Sequence, residues 1–438
     1  MFCDLHNHLY GCLSAEKLFE IGIKNPNPRW HLFLDSYQQA YSKKIDYKNF
    51  FENYNTIKKF SELYYFNHKG TFLEFQAKFN LIIALVQYTP EEMNQVAQSV
   101  VVDHANQGVS HVEYRIMFSA DESKSVFEDR ILNVCEGLKQ GEKESKRKGH
   151  FIRAEAVLSL HRDKNTLENY IWLKELISKY EIVNSRITGI DFCHIEEGNP
   201  PKKKKDFFDR VLKDNHAEPN SSLAILYHVG ESFQDKTPFS AVRWVYESAF
   251  MGAHRLGHCI ALGLSPYLFS GSKRTESIEE RIDQLRWELD HFESISNFGD
   301  YYSKEELERS LKNHLIQSNK SNKIEFLMKE KEIIFLSTLQ SYVINRIKIK
   351  NTIIESCPSS NTYIGMIDRL EDHPISAFLK NKMKVTIATD DPGIFNTNIQ
   401  KEYKKVREMG ISDETLDSIQ KNSFQYKSSI LSGRLNTT

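Results

Sequence analysis

Eight short runs rich in β-branched and apolar residues recur along the chain: FCDLHNHL, SHVEYRIMF, FIRAEAVLSLH, RITGIDFC, LAILYHVG, HRLGHCI, TIIESC and KVTIATDD. Charged stretches with apolar residues at helical spacing separate them. Strands alternating with helices predict a parallel sheet, and eight such units predict an α/β fold of the closed (β/α)8, TIM type in a single domain over residues 1–438. The polar residues collect where the runs end, in HNH, HVGE, LGHC, ESCPSSN and ATDDP. In a barrel those ends share one face, where barrel enzymes place their active sites. An open doubly wound sheet is the alternative, and it would scatter the same ends along a line.

Two segments exceed ordinary barrel loops. Residues 25–79 are rich in Tyr and Phe and are expected to form a helical lid over the barrel mouth or plain helix packing. Residues 264–350, with SIEERIDQLRWELDHFESI and KEELERSLKNHLIQ, read as a helical insertion before the seventh strand and a candidate surface for homo-oligomer contact.

The composition narrows the partners. With 58 basic and 59 acidic residues the net charge is -1, which gives no global field for nucleic acid or an anionic membrane. A small-molecule ligand is expected instead. The six cysteines are widely spaced with no CxxC pair, which predicts free thiols in a reducing cytoplasm. No leader-like stretch precedes CDLHNH and no apolar run reaches the ~20 residues of a membrane helix, so the reading is of a soluble, unexported protein.

The candidate chemistry begins in CDLHNHLYG. A strand turns His6 and His8 to one face, a bite suited to one metal ion that needs further N or O ligands from elsewhere. His228 in LYHVGE and Asp390 in ATDDP, each ending a strand, are the candidates, with Glu231 and Asp391 close by in sequence. His258, in HRLGHC, is placed to orient or deprotonate a water, and Glu231 to act as a general acid. Singly these residues have ordinary readings, His258 as a core histidine and Glu231 as an exposed loop carboxylate. Their positions at successive barrel ends favour the metal site. Zinc suits such a ligand set, although iron, cobalt or manganese use similar ligands.

These motifs together resemble the adenosine deaminases of the metal-dependent amidohydrolase superfamily. The resemblance runs in order through DLHNHLYG, VEYRI, GIDF, HVGE, HRLGHC, ESCPSSN, TDDPGIF, EYKKVREMGIS and NSFQYKSSI. It implies one zinc per chain held by His6, His8, His228 and Asp390, with Glu231 protonating N1 of the purine, His258 assisting the hydroxide and Asp391 bonding the N7 side. The bridging lysine of two-metal relatives has no counterpart in RITGIDFCHIEEG, and the HxE and PCxxC of the other zinc deaminase design are absent.

The chain departs from the family pattern at three places. Where the family has HLDG, whose aspartate helps hold the 5′ end of the ribose, this chain has Tyr10, which removes a charge that would repel a 5′-phosphate. His194 stands about where the family has a glycine turn facing N3 of the base, and the lysines at 202–205 follow, read as a solvated loop or as phosphate contacts. Ser359 or Ser360 is a further candidate for touching substrate. The long insertion resembles the enlarged deaminase modules of some bacterial antiphage systems. The expectation is hydrolytic deamination of adenosine or an adenine nucleotide such as AMP or ATP to the inosine counterpart plus ammonia. The alternatives are a deaminase of free adenine or an unusual purine nucleoside, and a purine-binding scaffold without turnover.

Overall fold

The computed structural model describes residues 1–318, 322–364, 367 and 369–434. In chain order the strands are β1 (Phe2–His8), β2 (Val109–Ile116), β3 (Arg153–Ser159), β4 (Ile187–Asp191), β5 (Ala224–Val229), β6 (Arg255–His258), β7 (Lys273–Ser277), β8 (Lys323–Leu327), β9 (Ile353–Ser356) and β10 (Val385–Ile387). Eight of them form one sheet in the order β1-β2-β3-β4-β5-β6-β9-β10, and every named pair in it is parallel. The eight correspond to the eight apolar runs. Strands β3 to β6, β9 and β10 are buried almost throughout, as expected when helices cover a parallel sheet from outside and side chains fill it from inside.

Asp390 draws the ends of the sheet together. It bridges to Asn7, its N–H donates to the carbonyl of His6 at 2.8 Å, and its own carbonyl accepts from the N–H of His8 at 2.9 Å. The segment after β10 therefore runs beside β1 and seats Asp390 between the two histidines.

Four helices fill much of the stretch 25–79: Trp30–Tyr41, Phe50–Asn53, Ile57–Tyr64 and Phe72–Leu85. The last starts at a capping box, in which the Thr71 side chain accepts from the N–H of Glu74 and the Glu74 carboxylate accepts from the N–H of Thr71. It runs past residue 79, so the wall it builds extends to Ile83 and on to Tyr88.

The segment 264–350, expected as a helical insertion, holds more than helices. Besides the helices Ile278–Asp290, Phe292–Ser296, Lys304–Gln317 and Glu330–Lys350, it holds an antiparallel pair, β7 with β8. Each strand is five residues; KRTES is polar throughout, and the short alternation of Ile324 and Phe326 in KIEFL is hidden among the charges around it. The insertion docks on the helix that follows β5, Pro238–Phe250. There Arg243, 1% exposed, donates to Glu280, Gln284 and Glu247, and the Trp244 indole N–H donates to Glu280 at 2.8 Å. Among the described residues no helix is long and apolar enough to cross a membrane, and the six thiols are buried and free.

Candidate active site

The C-terminal ends of β1, β5 and β6 and the turn after β10 bring His6, His8, His228, His258 and Asp390 together. The His6 and His228 ring centroids are 4.5 Å apart, and His258 lies 5.0 Å from His6 and 5.3 Å from His228. One donor atom each from His6, His8 and His228 falls within 4.8 Å of the others. Asp390 Oδ1 stands 3.5 Å from His6 Nε2 and 3.2 Å from His8 Nε2.

The outer nitrogens of the rings are held from behind. His6 Nδ1 bonds Glu355 Oε2 on β9 at 2.7 Å, and His228 Nδ1 lies 2.9 Å from Asp191 Oδ2 on β4, out of line for a hydrogen bond. Glu355 also accepts from Arg115 and Arg255, Asp191 accepts from Arg115 at 3.1 Å, and Arg255 reaches Glu113 at 2.6 Å. These charges are all buried, and despite burial the guanidinium and histidine partners hold the Asp191 and Glu355 carboxyls below the usual carboxylate range.

The inner nitrogens have nothing to bond. His6 Nε2 and His228 Nε2 are buried without a hydrogen-bond partner among the described residues. Burial also drives the His228 pKa down to about 3, so the ring presents a neutral nitrogen. Unpaired imidazole nitrogens facing a carboxylate, each ring steadied by an acid behind it, are the donor set a divalent metal ion requires. The residues therefore fit one.

Glycine lets the rings approach. A Cβ on Gly257, between Leu256 and His258 in β6, would lie 3.0 Å from His6 Cε1 and 3.4 Å from His228 Cδ2. A Cβ on Gly11 would fall 1.7 Å from Asp391 Oδ1, so that carboxylate occupies space only glycine leaves open.

Around this cluster stand the groups able to move protons. His258 and Asp390 both adopt left-handed backbone conformations, φ 65° and 63°, strain of the kind that concentrates at functional sites. His258 Nδ1 bonds Asn361 Oδ1 at 2.9 Å, which leaves Nε2 facing Glu231 Oε2 at 3.5 Å. Burial raises the Glu231 carboxyl above its ordinary range, against the pull of His258 and with the help of Asp390. Burial and the neighbouring Asp390 carboxylate likewise hold Asp391 well above the carboxylate range, and its Oδ1 has no partner among the described residues.

These groups line a cavity of about 490 Å³, together with Tyr10, Phe72, Phe75, Phe79, Tyr88, His161, Arg162 and His194. His194 follows β4 with φ 76°, a conformation that ordinarily favours glycine. Arg162 braces this rim by donating to the carbonyls of Phe192 and His228. Two sequence-level options for substrate contact fall away. Of residues 202–205 none lines the cavity: Lys202 pairs with Asp283, Lys204 bonds Thr166 and Lys205 pairs with Asp209. Ser359 and Ser360 are buried outside it, Ser359 being bonded to Glu402 and Lys405. The sequence reading missed Glu355 and Asp191, whose only signal was a charge inside an apolar strand.

The family model described as adenosine deaminase matches residues 56–268 and 337–434, and the stretch between them falls inside the insertion. The chain belongs to the adenosine deaminase family. It is a hydrolytic deaminase. Among curated relatives, adenosine deaminase 1 of Streptomyces coelicolor is 24% identical over 337 residues, which span 76% of this chain and 64% of that protein. An adenosine deaminase of Clostridium botulinum is 23% identical over 425 residues, 96% of this chain and 92% of that one. Among solved structures, Arabidopsis ADAL complexed with IMP superposes with a TM-score of 0.59 at 16% identity, covering 98% of this chain and 92% of its own. A cog1816 amidohydrolase from Burkholderia ambifaria with bound Zn gives 0.56 at 13% identity, covering 97% and 85%. At these identities the structural likeness speaks for the deaminase barrel alone.

Proposed function

We propose that this member of the adenosine deaminase family hydrolyses the C6 amine of an adenine nucleoside or nucleotide, releasing ammonia, with one zinc ion held by His6, His8, His228 and Asp390. The observation that carries the reading is the pair of buried, unpartnered nitrogens, His6 Nε2 and His228 Nε2, beside Asp390 and within reach of Glu231 and His258. When bound, zinc supplies the Lewis acidity that makes water a nucleophile at neutral pH.

The remaining work belongs to the side chains. His258, fixed through Nδ1 by Asn361, presents Nε2 to take the proton of the attacking water. Glu231, whose acid form burial favours, delivers a proton to N1 and so makes C6 electrophilic. Asp391, whose acid form burial and the Asp390 carboxylate favour, offers its O–H to the acceptor N7. Water adds at C6, the amine gains a proton, and the C–N bond breaks to leave ammonia and the 6-oxo purine. The Phe72–Leu85 helix, with Phe72, Phe75 and Phe79 on the cavity, walls the base from solvent.

Ammonia release from metal-quantified protein offered adenine, adenosine and AMP tests the reading. Turnover of a purine nucleoside or nucleotide is expected. Zinc-loaded protein inert toward all three would contradict it.

A further inference from the structure

The cavity has a second polar pole that this chemistry leaves unused. Tyr88 adopts a left-handed backbone, φ 60°, and sets its ring 4.8 Å from that of Tyr10. The guanidinium carbon of Arg29 lies 4.9 Å from the centre of the Tyr88 ring, and that of Arg130 lies 5.6 Å from it. All four residues line the cavity.

Two cations on one aromatic platform repel each other unless an anion joins them. Arg130 has a partial answer in Glu122, with which it pairs through Nη1. Arg29 has none of that kind. Its Nη2 donates to the carbonyls of Ile83 and Val86, which fix the fork without neutralising it, and among the described residues no carboxylate stands within 4.0 Å of it. Glu92, a carboxylate that acts on Arg29 from beyond ion-pair distance, accepts from the backbone N–H groups of Gln87 and Tyr88 through one oxygen. The buried Tyr10 hydroxyl has no hydrogen-bond partner among the described residues. The wall is thus rich in donors, one of its cations has no direct ion pair among the described residues, and planar guanidinium forks match the spacing of phosphate oxygens.

We propose that Arg29 and Arg130, flanking Tyr88, form a phosphate subsite, so that the substrate is a 6-aminopurine nucleotide with its base at the histidine floor and its phosphoryl group at this wall. The inference rests on the reading above, that the cavity takes a 6-aminopurine compound. It assigns phosphate recognition to two residues outside the lysine run at 202–205.

The test compares kcat/KM for AMP and adenosine on metal-quantified wild type, Arg130→Met, Arg130→Lys and Arg29→Lys, with inorganic phosphate as a competing probe. Wild type is expected to favour AMP, and Arg130→Met to lower the AMP-to-adenosine ratio about 10- to 100-fold, mainly through KM for AMP. Arg130→Lys should recover part of that ratio, and phosphate should inhibit wild type more than Arg130→Met. Because Arg29 also anchors two carbonyls, its variant is read beside its thermal midpoint. Adenosine used as efficiently as AMP, or a ratio unchanged in folded variants, would overturn the subsite. Silence on both compounds would instead contradict the deaminase reading. Calorimetry then decides the subsite separately: IMP bound at least 10-fold tighter than inosine supports it, and equal binding overturns it.

Discussion

At Glu231 and Glu355 two carboxyl groups of the same chemistry serve opposite purposes. Glu231 stands at the cavity, its side chain 18% exposed, and burial favours its acid form. Glu231→Gln keeps the shape and removes the proton, so kcat should fall roughly 10²- to 10⁴-fold with metal content unchanged; wild-type turnover would contradict the assigned acid. Glu355 lies behind His6 with two arginines around it, and its anion orients the ring. Glu355→Gln should weaken zinc binding about 10- to 100-fold in a chelator competition, while equal affinity would remove it from the metal's support. The sequence exposed the first carboxylate and hid the second. Glu231 follows HVG at a strand end, where polar residues collect, whereas Glu355 sits inside IIES, and the histidine it orients is 349 residues away in the chain. Asn361 is hidden for the same reason, since its role depends on the distant ring of His258.

At the scale of elements, period and length decided what was readable. The eight barrel strands carry apolar runs bounded by charged helices, and each was legible from that contrast alone. The β7–β8 pair was not, because KRTES has no apolar residue and KIEFL is too short a run to stand out in a charged insertion. Nor did periodicity reveal how the insertion is fastened, which depends on buried polar groups: Arg243 spans Glu247 of its own helix and Glu280 of the insertion. Glu280→Ala removes one acid from a buried arginine and an acceptor from Trp244. Urea unfolding should show a loss on the order of 3 kcal/mol, and a neutral result would mean that the insertion docks through its apolar contacts instead. Tyr10 illustrates the same division at the rim, since the sequence marked it as a departure but could not show that it packs on Tyr88, the ring that two arginines approach.

For the molecule as a whole, folding depends on imidazoles kept neutral. His254 Nδ1 accepts the N–H of Ile225, and burial lowers its pKa from 6.5 to about 4. His373 Nδ1 accepts the N–H of Ile375, and burial takes it to about 3. The unfolded chain binds protons below about 6.5 that the fold refuses, so the stability these rings contribute is complete above that pH and is lost as pH falls towards 4. His254→Asn keeps an acceptor without a titration. Wild type should therefore lose stability relative to His254→Asn as the pH is lowered from 7 to 5, and a constant difference would contradict the neutral ring.

The claim on which the rest depends is that one metal ion on His6, His8, His228 and Asp390 makes this barrel a purine deaminase. Adding zinc stepwise to metal-depleted protein, while following bound metal and ammonia release from AMP and adenosine together, tests it most directly. The account predicts activity rising in proportion to bound zinc and levelling at one equivalent per chain, with Asp390→Asn binding less metal and turning over less substrate. Full activity in the metal-depleted protein, or a fully loaded protein that releases no ammonia from either compound, would contradict it.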